Sequence, residues 1–61
     1  MKTKRFTVTD GNESRSFDDL RNAKEDYSML LLTIEKWSEN DKKGASAYLY
    51  EGDNILEEKH W

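Results

Sequence analysis

The sequence predicts an α+β domain in which one amphipathic helix packs on a face of an antiparallel sheet, in the order ββαβββ. Three observations lead to this fold class: an alternating segment with a turn near the start, an apolar repeat at helical spacing, and an aromatic hairpin at the end. With 61 residues and no proline, repeat or linker, residues 1–61 are expected to form a single domain.

A β-hairpin is predicted first. Apolar residues alternate with threonines in the segment Phe6–Thr9, as they do in half-buried strands. The Asp-Gly-Asn sequence at 10–12 tolerates positive φ angles and therefore favours a turn. Residues 14–17 can then return as a short second strand.

An amphipathic helix over residues 18–29 is predicted next. Either Ser16 or Asp18 can cap its amino end, and the acidic residues at 18 and 19 suit the positive end of the helix dipole. Its apolar residues recur at steps of three and four and form one stripe, made of Leu20, Ala23, Tyr27 and Leu30.

The segment after this helix admits two interpretations. Ile34 and Trp37 continue the helical stripe, so one helix over 18–38 would fit. Three consecutive leucines followed by Thr-Ile favour a buried strand over 31–38, which also supplies a neighbour for the strands that follow. We expect the strand, with the longer helix as the alternative, and then a polar loop over 38–44.

A second hairpin, over residues 47–60, closes the predicted sheet. A two-residue turn at 52–53 sets a register that pairs Tyr50 with Ile55, Leu49 with Leu56 and Tyr48 with Glu57. One face then presents Ala47, Leu49 and Leu56, and the opposite face presents Tyr48, Tyr50, Ile55 and Trp61.

One helix can cover only one face of this sheet, so apolar or aromatic side chains remain on the other face. Aromatic residues are favoured at binding interfaces, and a second apolar face on a short chain indicates a partner or self-association. Tyrosines are also good strand formers that tolerate half exposure, which explains the same face without a partner.

Composition limits the chemistry that the chain can support. With no cysteine and one histidine, disulfides and metal sites built from cysteine or histidine clusters are excluded. A formal net charge of −3 opposes direct binding to nucleic acid, and the longest apolar run, 29–32, is too short to span a membrane. We expect a cytoplasmic protein that uses no cofactor and contacts no membrane.

No arrangement of residues typical of a catalytic site is present, so we expect no enzyme. Glu57, Glu58 and His60 are suitable acid–base groups, but the last strand of a short chain does not supply the shaped pocket that catalysis needs. Residues 10–14 have the composition of a calcium loop without its closing glutamate, so a hairpin turn is favoured there.

Acidic residues are distributed over the helix, the loops and the last hairpin. Gathered on one side, they would imitate the phosphate spacing of a nucleic acid and block a basic groove, whereas the interspersed lysines favour an ordinary solvated surface. The residues predicted to contact a partner are Tyr48, Tyr50 and Trp61 as apolar contacts, with Glu51, Asp53, Glu57 and Glu58 as charged contacts.

In size, acidity and hairpin–helix–hairpin layout, the chain resembles the small accessory proteins of bacteriophages and mobile elements. The stretches FTVTDGNESRSFDDLRNAK and AYLYEGDNILEEKHW carry this resemblance. Many such proteins bind and disable a host enzyme, and the anti-CRISPR proteins are one group among them. The resemblance implies an inhibitor of a host defence nuclease complex that blocks a basic nucleic-acid-binding surface. The alternative is a small structural or regulatory homodimer with the aromatic sheet face as its seam.

Overall fold

The computed structural model describes residues 5–61, so the first four residues of the predicted domain lie outside the described part. The strands are β1 (Phe6–Thr9), β2 (Ser14–Phe17), β3 (Ser46–Glu51) and β4 (Asn54–His60), and the helices are α1 (Leu20–Glu35) and α2 (Glu39–Lys42). The strands form one antiparallel sheet in the order β2-β1-β3-β4, with α1 packed on one face. The predicted α+β class is therefore confirmed.

The predicted strand over 31–38 is wrong, because α1 continues through this segment to Glu35. Ile34 extends the stripe of Ala23 and Tyr27 and is fully buried, whereas Leu32 lies on the opposite side of the helix and is 56% exposed. Leucine is a strong helix former. The neighbour that β3 was expected to need is supplied by β1. The observed order is therefore ββααββ. The alternative of one helix over 18–38 agrees better with α1 than the predicted helix over 18–29 does.

The first hairpin is confirmed, with Phe6 paired to Phe17 and its turn held by the Asp10 carboxylate. Oδ1 of Asp10 accepts the backbone N–H of Glu13 at 2.8 Å and of Asn12 at 2.9 Å. Both bonds favour the ionised carboxylate, so they lower the pKa of Asp10 below its ordinary value. Gly11 follows with a φ of 95°, a conformation that glycine adopts without strain.

Short polar residues begin each helix. Asp19, rather than the predicted Ser16 or Asp18, caps α1, and its Oδ1 accepts the N–H of Arg21 at 3.2 Å. Ser38 caps α2 in the same way, which converts part of the predicted polar loop into one helical turn. Among residues 5–61, no helix is long and apolar enough to cross a membrane.

The core lies between α1 and the inner sides of β1 and β3. The residues buried there are Phe6, Val8, Ala23, Tyr27, Ala47 and Leu49, and the partly buried Phe17, Leu20, Leu30, Leu31 and Trp61 surround them. Because side chains alternate along a strand, the residues between these positions in β1 and β3 point away from α1.

The second hairpin forms as predicted near its turn and departs from the prediction beyond it. Tyr50 pairs with Ile55, but Leu49 pairs with Glu57 instead of Leu56, because β4 contains a bulge. The extra residue reverses the facing of every later position in β4. The large apolar side chain of Trp61 thereby reaches the α1 side, where it packs against the core.

Truncation at two positions of α1 distinguishes this helix from the predicted strand, in which both side chains share a face. Ile34→Val should lower the free energy of unfolding by about 0.5–1.5 kcal/mol, because it removes a methyl group from a fully buried side chain. Leu32→Ala should change it by less than about 0.5 kcal/mol, although it deletes more atoms. Urea unfolding followed by circular dichroism measures both, and a larger loss at Leu32 would contradict the helix.

Candidate functional site

The sheet face that points away from α1, called the open face below, is the main surface left by this packing. Its members follow from the pairing register, since residues directly opposite each other on neighbouring strands share a face. They are Thr7, Thr9, Ser14, Ser16, Ser46, Tyr48, Tyr50, Ile55, Glu58 and His60. The β1 and β2 side carries only small hydroxyl side chains, and all the larger side chains lie on β3 and β4, where Ser46 is the one small member.

An aromatic strip runs along the β3 and β4 side of the open face. The rings of Tyr48 and Tyr50 stack with centroids 5.9 Å apart and planes 27° apart. The ring of His60 meets Tyr48 edge-on, with centroids 5.5 Å apart. Ile55 extends the strip next to Tyr50 and is 50% exposed. These contacts hold the rings against one another.

Glu58 is the carboxylate that lies within this strip. It pairs across the strands with Tyr48, and its Oε2 lies 3.8 Å from Nε2 of His60. This contact becomes an ion pair only when the imidazole is protonated. None of the ten strand residues of the open face is a lysine or an arginine.

The structure divides the other predicted acidic contacts. Glu51 pairs with Phe6 and Glu57 with Leu49, so both belong to the α1 side of the sheet. Asp53 is exposed in the turn between β3 and β4. The predicted cluster is therefore not brought together, and Glu58 is the acid that shares the face of Tyr48.

Glu57 and Glu58 also affect the phenol of Tyr27 in the core. Burial is the main cause that raises the pKa of Tyr27 above its ordinary value, and the negative charges of the two glutamates act in the same direction. Glu57 on the α1 side and Glu58 on the open face are thus both close enough to the core to influence a buried group.

Trp61 does not lie with the tyrosines, so the prediction that it shares their face is wrong. Its indole Nε1 donates to Oε2 of Glu35 in α1 at 2.7 Å. Its backbone N–H donates to the Ala45 carbonyl at 3.0 Å, and its own carbonyl accepts from the Gly44 N–H at 3.2 Å. The bulge in β4 causes this reversal of facing, and Trp61 therefore joins β4 to α1.

Glu35 gains a stabilised negative charge from this arrangement. The indole N–H of Trp61 lowers the pKa of Glu35 most, and the positive charges of Lys42 and Lys59 lower it further. Nζ of Lys42 lies 3.6 Å from Oε1 of Glu35 and 3.9 Å from Oε1 of Glu39. These contacts fix the end of α1 against α2 and the last residue of the chain.

Two features of the surface were missed by sequence reasoning. His60 belongs to the aromatic strip, a position that depends on the bulge and has no signal in the sequence. Met29 and Leu32 are exposed by 62% and 56% on the outer side of α1. The apolar stripe could have revealed this pair, because continuing it to Ile34 places Leu32 on the opposite side of the helix.

Within residues 5–61, no three side chains of aspartate, glutamate or histidine are grouped so that they could hold a metal ion. Comparison of the chain with protein-family models, curated proteins and solved structures gives no match.

The Glu35–Trp61 hydrogen bond predicts a specific acid sensitivity. The pKa of Glu35 in the folded state lies below its ordinary value of 4.5, so the stabilisation is complete above pH 4.5 and is lost as the pH falls through the folded-state pKa. Glu35→Gln should reduce the fall in the free energy of unfolding between neutral and strongly acidic pH.

Urea unfolding at a series of pH values measures this difference. Glu39→Gln is the matched control, since Glu39 also contacts Lys42 but does not bond the indole. The control should retain the wild-type pH dependence. An identical acid profile for the Glu35→Gln variant and the wild type would contradict the assignment.

Proposed function

We propose that this protein is a non-enzymatic binding protein that contacts a partner protein through the open face. The observation that carries this proposal is the stacked pair of Tyr48 and Tyr50, extended by His60, on the face that α1 does not cover. Rigid aromatic rings bury a large area on binding and lose little rotamer entropy. Their stacking reduces that loss further, because the rings contact each other before the partner binds.

Charge supports a basic surface as the partner's contact region. Glu58 lies within the aromatic strip, Asp53 is exposed in the adjoining turn, and the chain has a formal net charge of −3. A lysine or arginine of the partner could pair with Glu58 and rest on the ring of Tyr48, which combines an ion pair with a cation–π contact. Lysine and arginine are also the residues that line nucleic-acid-binding grooves.

The narrower form of the proposal follows from the resemblance to phage accessory proteins. The partner would be a host defence nuclease complex in the host cytoplasm, and binding would occupy the basic surface that holds its nucleic acid. Inhibition would then arise by exclusion, without any chemical step on this chain. The aromatic contacts would mainly set the dissociation rate, and Glu58 would mainly set the association rate and its salt dependence.

A homodimer with the open face as its seam is the second candidate. The exposed side chain of Ile55 beside the aromatic strip favours it, because a two-fold seam would bury that side chain together with both tyrosines. In such a seam each Glu58 carboxylate would be buried beside the His60 imidazole of its own chain, 3.8 Å away.

Replacement of both tyrosines by threonine tests the proposed function. Tyr48→Thr combined with Tyr50→Thr removes the rings and retains a good strand former at each position. Affinity capture from a bacterial lysate with tagged wild type should recover a nucleic-acid-binding complex. The double variant should lose at least about 2 kcal/mol of binding free energy, roughly a thirtyfold weaker dissociation constant, as hot-spot residues do.

Met29→Ala combined with Leu32→Ala is the control, since it removes exposed apolar side chains from the opposite side of the domain. The control should bind as the wild type does, and circular dichroism should show that both variants fold. Equal recovery of the complex by the tyrosine double variant would disprove the open-face proposal. A dimer mass by light scattering that is lost in that variant would establish the homodimer instead.

A further inference from the structure

We propose that the partner supplies an extended basic segment that pairs as a fifth strand with the outer edge of β4. This inference rests on the proposed function, because it specifies how a partner meets the border of the open face. The chemistry required of the partner is a strand-forming segment with a lysine or arginine opposite Glu58.

β4 is the longer and more accessible of the two sheet edges. It ends the order β2-β1-β3-β4, and all seven of its residues, Asn54–His60, are exposed. The opposite edge, β2, has four residues. Edge strands present backbone N–H and C=O groups that another extended chain can pair with, and strand addition is a recurrent mode of peptide recognition.

The hydrogen bonds of Trp61 show which backbone groups point outward. Trp61 bonds through both its N–H and its carbonyl to Ala45 and Gly44, next to the start of β3. In an antiparallel strand, the backbone groups of successive residues point to alternate sides. Those of Lys59 therefore point to β3, as those of Trp61 do, and those of Glu58 and His60 point to the outer edge.

The same two residues carry the side chains that border the aromatic strip. Glu58 pairs with Tyr48, and the His60 ring lies against Tyr48 on the open face. A strand added at this edge places its own side chains about 4.5–5.5 Å from those of β4. A basic residue opposite Glu58 would thus reach both the carboxylate and the edge of the strip.

Charge argues against a second copy of β4 as the added strand. If two copies of β4 pair antiparallel about a two-fold axis, the open faces of both copies lie on the same side of the joined sheet. Each side chain is then opposite a side chain from the same face of the other copy. A register centred on Glu58 sets that carboxylate against its copy on the open face. A register centred on Lys59 sets two ammonium groups together on the α1 side, although it also places Glu58 opposite His60 of the other copy. The bulge at Leu56 interrupts any longer pairing towards the turn. Each of these two registers therefore brings at least one pair of like charges together, which a partner strand with a lysine or arginine opposite Glu58 avoids.

Two matched variants isolate the backbone contribution. His60→Pro removes an outward N–H and leaves the bonds of Trp61 to Ala45 and Gly44 in place, as proline permits on an edge strand. His60→Thr also removes the imidazole but retains the N–H. Circular dichroism checks that both variants keep the fold, and the comparison between them excludes an effect of the ring.

The probes are two short synthetic peptides, Thr-Lys-Val-Lys-Thr and Thr-Glu-Val-Glu-Thr, with both ends blocked. Amide hydrogen exchange by nuclear magnetic resonance should show the Glu58 and His60 amides unprotected in the free protein. The lysine peptide should slow their exchange roughly two- to tenfold at saturation, the range for one added hydrogen bond. It should bind His60→Thr more tightly than His60→Pro, and the glutamate peptide should not bind.

Three results would overturn the added strand: equal binding of both peptides, binding of the lysine peptide without amide protection, or protected Glu58 and His60 amides in a peptide-free dimer. The proposed function is tested separately by the captured complex. If the tyrosine double variant loses it and His60→Pro retains it, the open face stands and the added strand fails. If His60→Pro loses the complex and the tyrosine double variant retains it, the added strand is supported and the tyrosines lie outside the interface.

Discussion

Burial of the inner sides of β1 and β3 beneath α1 is the contact on which the rest of the structure depends, because it involves nearly every large apolar residue that is fully shielded from water. Val8 and Leu49 lie opposite each other in this layer, and Tyr27 covers them from the helix. Strand alternation then assigns the intervening side chains to the other face. A domain of this size has too few residues to build a second layer there. The open face is therefore a consequence of the core.

The bulge in β4 is the second constraint, because it decides which residues serve the fold and which face outward. Without it, Trp61 would lie with the tyrosines and Glu58 would lie on the side of α1. With it, the indole reaches Glu35 and closes the core, while Glu58 and His60 join the aromatic strip. The same irregularity interrupts the edge of β4, as bulges at sheet edges commonly do. One extra residue thus shapes the core, the open face and the edge together.

Local patterns in the sequence predicted the first hairpin, the turn of the second, the first half of α1 and the α+β class, since each depends on neighbours a few residues apart. The predictions failed where contacts between residues far apart in the sequence determine the local structure. The leucines at 30–32 fit a strand or a helix, and helix wins because β1 already fills the place beside β3. The pairing of Leu49 with Glu57 could not be derived either, because the bulge that produces it and turns Trp61 towards the core has no signal among neighbouring residues. Tyr48 and Tyr50 share a face as predicted, Trp61 does not, and Glu58 reaches that face only through the bulge.

The residues that fold this domain differ from those that form its open face. Tyr48 and Tyr50 lie outside the buried set, so their rings contribute to the fold mainly through strand propensity and contact with each other. A domain of 61 residues has a total stability of roughly 3–9 kcal/mol at the usual 0.05–0.15 kcal/mol per residue. Substitutions in the core would then remove a large share of this stability, whereas substitutions on the open face would change the free energy of unfolding little. A partner that binds only the folded chain would add to this small stability in proportion to the logarithm of its concentration. Because the free energy of unfolding of such a small domain is low, the stabilisation that binding adds is a large fraction of the total.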